Sequence, residues 1–141
     1  MPHSDASPSQ ESPPDPAQET PGQALAVWAE ALYLCNLLLL PGIAFAVLLH
    51  LYFKHRASAP SLAVCHLRQT IAGSIWAGML LGVVTVAVLL TSDISSEATW
   101  VIVIIYLTCF HTTLVMIGII ALSKAMAGQP YVYPLIGKPC A

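Results

Sequence analysis

The chain has 141 residues, of which 57% are hydrophobic and only 9% charged, with a formal net charge of -2. Soluble domains carry about a quarter charged residues, so this composition excludes an ordinary soluble domain and belongs to the membrane class. The five bases are too few and too widely spaced for a nucleic-acid surface or a polybasic lipid-binding patch.

Residues 1–24 hold six of the eleven prolines, with Ser, Gln, Asp and Glu between them. Such a segment buries too little apolar surface to offset its ordering entropy, and it reads as a disordered tail. No basic start precedes a cleavable apolar core there, so it is not expected to be a signal peptide. A three-helix transmembrane domain is expected over residues 25–127, and an extended cytoplasmic tail over residues 128–141.

The first apolar segment, from Ala24 to Phe53, exceeds the roughly 20 residues a bilayer requires. Glu30 should stay out of hydrocarbon, which places Trp28 and Tyr33 at one interface and Tyr52 at the other. Pro41-Gly42 falls near mid-span. Proline removes a backbone donor and crowds the preceding turn, so a long first helix kinked at Pro41 is expected, with a re-entrant break as the alternative.

From Lys54 to Gln69 the pattern predicts a short interfacial helix opening at Pro60, with Leu62, Cys65 and Gln69 on one face. It feeds a second span from Thr70 to Leu90. Residues 92–96 form a tight turn in which Asp93, Ser95 and Ser96 offer capping oxygens, and Glu97 suits the first turn of the next helix. The third span runs from Ala98 to Met126 and closes on Lys124, Gly128 as C-cap, and Pro130.

Threaded this way, all five bases (Lys54, Arg56, Arg68, Lys124, Lys138) fall on one side. All seven acids (Asp5, Glu11, Asp15, Glu19, Glu30, Asp93, Glu97) fall on the other. Bases beside short spans stay in the cytoplasm, so an all-α protein is expected with three transmembrane helices, its N-terminus outside and its C-terminus cytoplasmic. Residence in the bacterial cytoplasmic (inner) membrane follows from that reading. Cys35, Cys65, Cys109 and Cys140 show no paired spacing and read as isolated thiols behaving as small hydrophobes rather than a disulfide framework.

Few residues offer chemistry. Ser74, Gly78 and Gly82 recur at four-residue intervals and form a small-residue ridge, read as packing within the chain or as a dimer interface. His111 lies near the middle of span three, with Thr108 and Thr112 beside it. A buried ionisable group there is a functional candidate, to be weighed against a neutral ring satisfied locally by hydroxyls or carbonyls, or a contact to a partner subunit. His50 lies about 12 Å in depth from His111, at 1.5 Å per residue, which argues against a bis-histidine haem site in one protomer. His50, His55 and His66 gather near the inner interface but show no recognised metal spacing. No catalytic residue, cofactor or metal is therefore expected.

The strip over residues 127–138, AGQPYVYPLIGK, carries Gly128, Tyr131, Tyr133 and Pro134 just after an apolar helix that ends near Lys124. Together with the polar entry VCHLRQT over residues 64–70, it resembles the closing motif of small membrane proteins. These are the bacterial relatives of the twenty-kilodalton Tic component of the chloroplast inner-envelope translocon. Val132 stands where that family often has arginine. The resemblance implies three or four spans and points to no reaction. The leading expectation is a non-enzymatic accessory or assembly subunit whose partners are the lipid bilayer and other membrane protein subunits. The alternatives are a transport or protein-translocation component, and a redox or metal-binding subunit using His111 or the inner histidines.

Overall fold

The computed structural model of the protein describes residues 19–134, 137 and 139. These residues form α1 (Gln23–Leu38), α2 (Ile43–His55), α3 (Ser61–Ala77), a π-helical turn (Gly78–Val83), α4 (Val84–Thr91) and α5 (Glu97–Met126), with no strand among them. The path from α3 through the π-turn to α4 is one continuous helix of 31 residues, and α5 has 30. Both are long and apolar enough to cross a bilayer, and only 17% of each apolar window is buried. A helix in the core of a soluble protein would be mostly covered, whereas these two present their apolar sides outward.

The first apolar segment is a helical hairpin, where the sequence predicts one long kinked span. Pro41 has no N–H to continue α1 and disfavours helical geometry at Leu40. Gly42 then adopts φ 89°, which a side chain would resist, and its N–H donates to Asn36 Oδ1 at 2.9 Å. The chain reverses there. Gly22, at the head of α1, consequently sits against Pro60 and Ala63, at the head of α3. Ala29 of α1, Leu48 of α2 and Leu67 of α3 share one buried cluster.

α1 runs parallel to α3 and antiparallel to α5: Gln23 Nε2 donates to the Met126 carbonyl at 2.6 Å, and the Tyr33 hydroxyl to that of Leu114 at 3.4 Å. The start of α1 and the end of α5 therefore lie at the same end of the bundle, not at opposite ends as predicted. This also revises the charge map. Glu19 and Glu30 belong to the end that carries Lys54, Arg56, Arg68 and Lys124, while Asp93 and Glu97 stay at the far end. Lys138, Asp5, Glu11 and Asp15 lie outside the described residues.

The entry helix expected over residues 61–69 is the first half of the long second helix rather than a separate interfacial piece. Its face carrying Leu62, Cys65 and Gln69 is buried, as the spacing predicts. At the far turn, Asp93 Oδ1 accepts the Ser95 N–H at 2.9 Å and the Ser95 hydroxyl at 2.7 Å, which holds the Asp93 carboxyl below its ordinary range. Ser96 occupies the cap position of α5 without a side-chain hydrogen bond.

α5 ends as its sequence signals. The Gly128 N–H donates to the Ala125 carbonyl and that of Gln129 to Lys124, the paired closure that a left-handed residue (Gly128, φ 65°) permits. The irregular strip that follows turns back onto the bundle instead of extending away from it.

Candidate functional site

Packing is uneven along the bundle, and this creates two places of interest. At the basic end α1, α2, α3 and the last turns of α5 bury one another. At the far end α4 and the π-turn contain no buried residue. The hairpin tip stops beside the middle of the long helix Ser61–Thr91. At 1.5 Å per residue, the 16-residue α1 reaches only about 24 Å against about 46 Å for its 31-residue neighbour.

The first place is a buried polar cluster. Glu30 and His66 are 0% exposed and Tyr133 is 2% exposed. His66 Nδ1 lies 2.6 Å from Glu30 Oε1, and the Tyr133 hydroxyl donates to Glu30 Oε2 at 2.7 Å. His66 Nε2 lies 3.1 Å from the Gln129 carbonyl. The Tyr133 N–H faces Gln69 Oε1 at 3.5 Å.

A carbonyl only accepts, so Nε2 must carry a hydrogen. The Nδ1–Oε1 contact then holds one further proton, either on an imidazolium facing a carboxylate or on a carboxylic acid facing a neutral ring. Burial and the Glu30 carboxylate push the Tyr133 phenol above its ordinary range, so it stays a neutral donor. Two glycines leave room for the rings: a Cβ on Gly73 would lie 2.7 Å from the Tyr133 ring, and one on Gly118 would lie 2.8 Å from Tyr33. Tyr33 and Tyr133 meet edge to face at 5.6 Å, as do Tyr131 and Tyr133 at 5.7 Å.

The second place is an open groove of about 510 Å³ between the hairpin tip and the long helix Ser61–Thr91. Asn36, Pro41 and Phe45 line one wall, and Ser74, Gly78 and Gly82 the other. Ser74 is 5% exposed and its hydroxyl has no hydrogen-bond partner. A Cβ added to Gly78 or Gly82 would meet nothing within 4 Å, so neither glycine is packed against the described chain. The ridge is real, but packing within the chain uses it only at Ser74.

The remaining sequence candidates do not converge. His50 is exposed, His55 Nδ1 contacts the Leu51 carbonyl of its own helix at 3.1 Å, and His66 is in the core. Among the described residues no three His, Cys, Asp or Glu side chains come close enough to hold a metal ion. His111 is half-buried on α5, Thr108 and Thr112 are exposed, and no hydrogen bond joins His111 to the described residues. Local satisfaction of His111 is thus not what the structure has.

Of the tail motif, Gly128 closes α5, Tyr133 enters the core, Tyr131 is half-buried and Pro134 is exposed. Cys35 and Cys109 are free, whereas Cys65 is disulfide-bonded. That departs from the expectation of isolated thiols. The fold-back of the tail, which brings the Tyr131 carbonyl to 3.9 Å from Cys65 Sγ, puts this cysteine within reach of distant sequence.

Glu30 and His66 are the site residues that sequence reasoning missed. A carboxylate within an apolar helix was itself the signal, since such a group requires a partner. The partner was hidden because a single span puts residues 30 and 66 on opposite faces, and only the Pro-Gly reversal brings them together.

Comparison with known protein families, curated proteins and solved structures finds no match.

Proposed function

We propose that this protein is a non-enzymatic membrane subunit that docks a helix of another membrane protein against its own long helix Ser61–Thr91. The open ridge is the observation that carries this reading: Gly78 and Gly82 face empty space beside a buried, unpaired Ser74 hydroxyl. Small residues let a neighbouring backbone approach closely, and a partner's acceptor would satisfy the hydroxyl in a medium without water. The unpaired His111 on α5 is a second polar group that a partner would accommodate. The one cluster of ionisable groups brought together among the described residues is sealed from solvent and satisfied by its own members, which suits a structural role.

In this reading the helices Ser61–Thr91 and Glu97–Met126 cross the bilayer, and the α1–α2 hairpin enters from the cytoplasmic face and leaves on it. Lys54, Arg56, Arg68 and Lys124 all sit at the hairpin's open end, which the positive-inside rule assigns to the cytoplasm. The first helix of the docked partner would fill the leaflet that the hairpin does not reach.

Purification in mild detergent from native membranes tests the proposal. The protein should bring down a membrane protein in fixed ratio, and Gly78→Leu with Gly82→Leu should abolish that association while the monomer stays folded. A wild-type monomer with no stoichiometric partner overturns the reading.

A further inference from the structure

The tail does more than follow α5. Besides the contacts of Gln129 with Lys124, residues 129–133 are gripped from the core: Gln129 by His66, the Tyr133 hydroxyl by Glu30, and the Tyr133 backbone by Gln69. Two of these grips run through the Glu30–His66 pair, which is fully buried.

We propose that Glu30 and His66 form a one-proton latch on the C-terminal segment: with their shared proton in place residues 129–133 are held tightly against α1, α3 and α5, and its loss weakens that hold without undocking them. The hydrogen count carries the argument. With the proton present, His66 offers a filled contact to both Glu30 Oε1 and the Gln129 carbonyl. Once it leaves, one N–H must serve two acceptors, and a nitrogen lone pair faces an oxygen in a site of low dielectric. Either the Glu30 contact or the Gln129 contact is then lost. The latch is distinct from the groove used for docking, and stands or falls without it.

The surrounding groups favour a local response. α1 contributes Glu30 and Tyr33, and α3 contributes His66 and Gln69 while Arg68 points to the exterior. α5 sends Lys124 Nζ to Gln129 Oε1 at 2.9 Å, outside the core. The tail adds Tyr131 and Tyr133. α2 meets this end through Leu48, Leu51 and Tyr52, and its His55 is bonded within its own helix.

Amide hydrogen exchange on the full chain in nanodiscs provides the test, from about pH 6 to about pH 9, where imidazoles change charge. After correction for intrinsic rates, protection at the Tyr133 N–H, which faces Gln69 Oε1, should fall by about tenfold, the worth of one buried hydrogen bond. Protection in the middle of α5 should hold. Glu30→Gln mimics the protonated acid: its amide N–H donates to Nδ1 and its carbonyl accepts from Tyr133. The tail of this variant should stay protected across the range. Tyr133→Phe keeps the pair but loses one grip, so its tail should be less protected at every pH and still respond to it. A flat wild-type profile, a Glu30→Gln profile that follows wild type, a Tyr133→Phe tail as protected as wild type, or a loss shared equally by α5 each overturns the latch.

Discussion

The two ends of this bundle are built on different principles. Around Glu30, four helices and a returning tail enclose a carboxylate, an imidazole and a phenol, and glycines at 73 and 118 are used to bring aromatic rings against backbone. Around Val86, which is 54% exposed, two helices stand side by side, and the glycines at 78 and 82 touch nothing. The same residue types thus serve internal closure at one end and vacancy at the other. An interior that seals its polar groups is stable by itself, whereas a half-built end in lipid gains nothing from hydrophobic burial and needs packing from a neighbour.

The sharpest way to break this comparison is at the sealed end. Glu30→Ala removes one member of a buried pair and strands His66 and the Tyr133 hydroxyl. Breaking such a pair costs about 3–5 kcal/mol, because the survivor is left uncompensated. Reversible unfolding in mixed micelles should show that loss. A change below about 1 kcal/mol would mean that water reaches the pair and the end is not sealed.

Next in size is Gly118→Ala. The added methyl would sit 2.6 Å from Leu34 Cδ2 and 2.8 Å from Tyr33 Cε1, so something must shift. Overpacking of this kind costs about 1–3 kcal/mol, and Leu34 as a flexible side chain argues for the lower part of that range. The same unfolding measurement decides it, and no loss at all would place α1 farther from α5 than described.

How much of this was legible beforehand follows from which signals are local. The cap at Gly128, the end of α5, the turn at residues 92–96 and the buried face of Leu62, Cys65 and Gln69 depend on neighbours a few residues away, and each was readable. The hairpin was not, because Pro41-Gly42 is compatible with a kink or a reversal. What separates them is contact with α3 and α5, which no window on residues 24–53 contains. Everything built on that choice moved with it. Glu30 went from the predicted outer face to the core, His66 from the inner interface to its partner, and Tyr133 from an extended tail to a buried donor. Asp93 and Glu97 do lie at the end of the bundle away from Lys54, Arg56, Arg68 and Lys124, as the threading expects. The charge rule was misapplied to Glu30, whose neutralisation by a partner frees it from any topological role.

A third test uses alkali. The Tyr133 phenol is held above its ordinary range by burial and by the Glu30 carboxylate, so the folded state resists ionising it. A group whose folded value is raised gives stability that is complete below the unfolded value, about pH 10 for tyrosine, and drains as pH rises beyond it. Unfolding free energy should therefore fall more steeply above about pH 10 in wild type than in Tyr133→Phe, which has no proton to lose there. Equal slopes would show the phenol to be in contact with solvent.

The smallest effect is the most discriminating, because it reverses sign. Gly82→Ala adds the same methyl as Gly118→Ala, also to a long apolar helix, but into open space. There the substitution removes only glycine's backbone freedom in the unfolded chain, so the isolated monomer should gain about 0.4–1 kcal/mol rather than lose. That gain requires that the π-turn tolerate alanine at this position, which its ordinary right-handed flanks (φ -59° at Ala77 and -66° at Val84) allow. Unfolding of the pair side by side checks the sign. A loss at Gly82 matching the loss at Gly118 would mean that the ridge is already occupied in the monomer, and the contrast between a closed end and an open one would disappear. A gain, combined with weaker recovery of a stoichiometric partner in Gly82→Leu, would place the use of this ridge outside the chain.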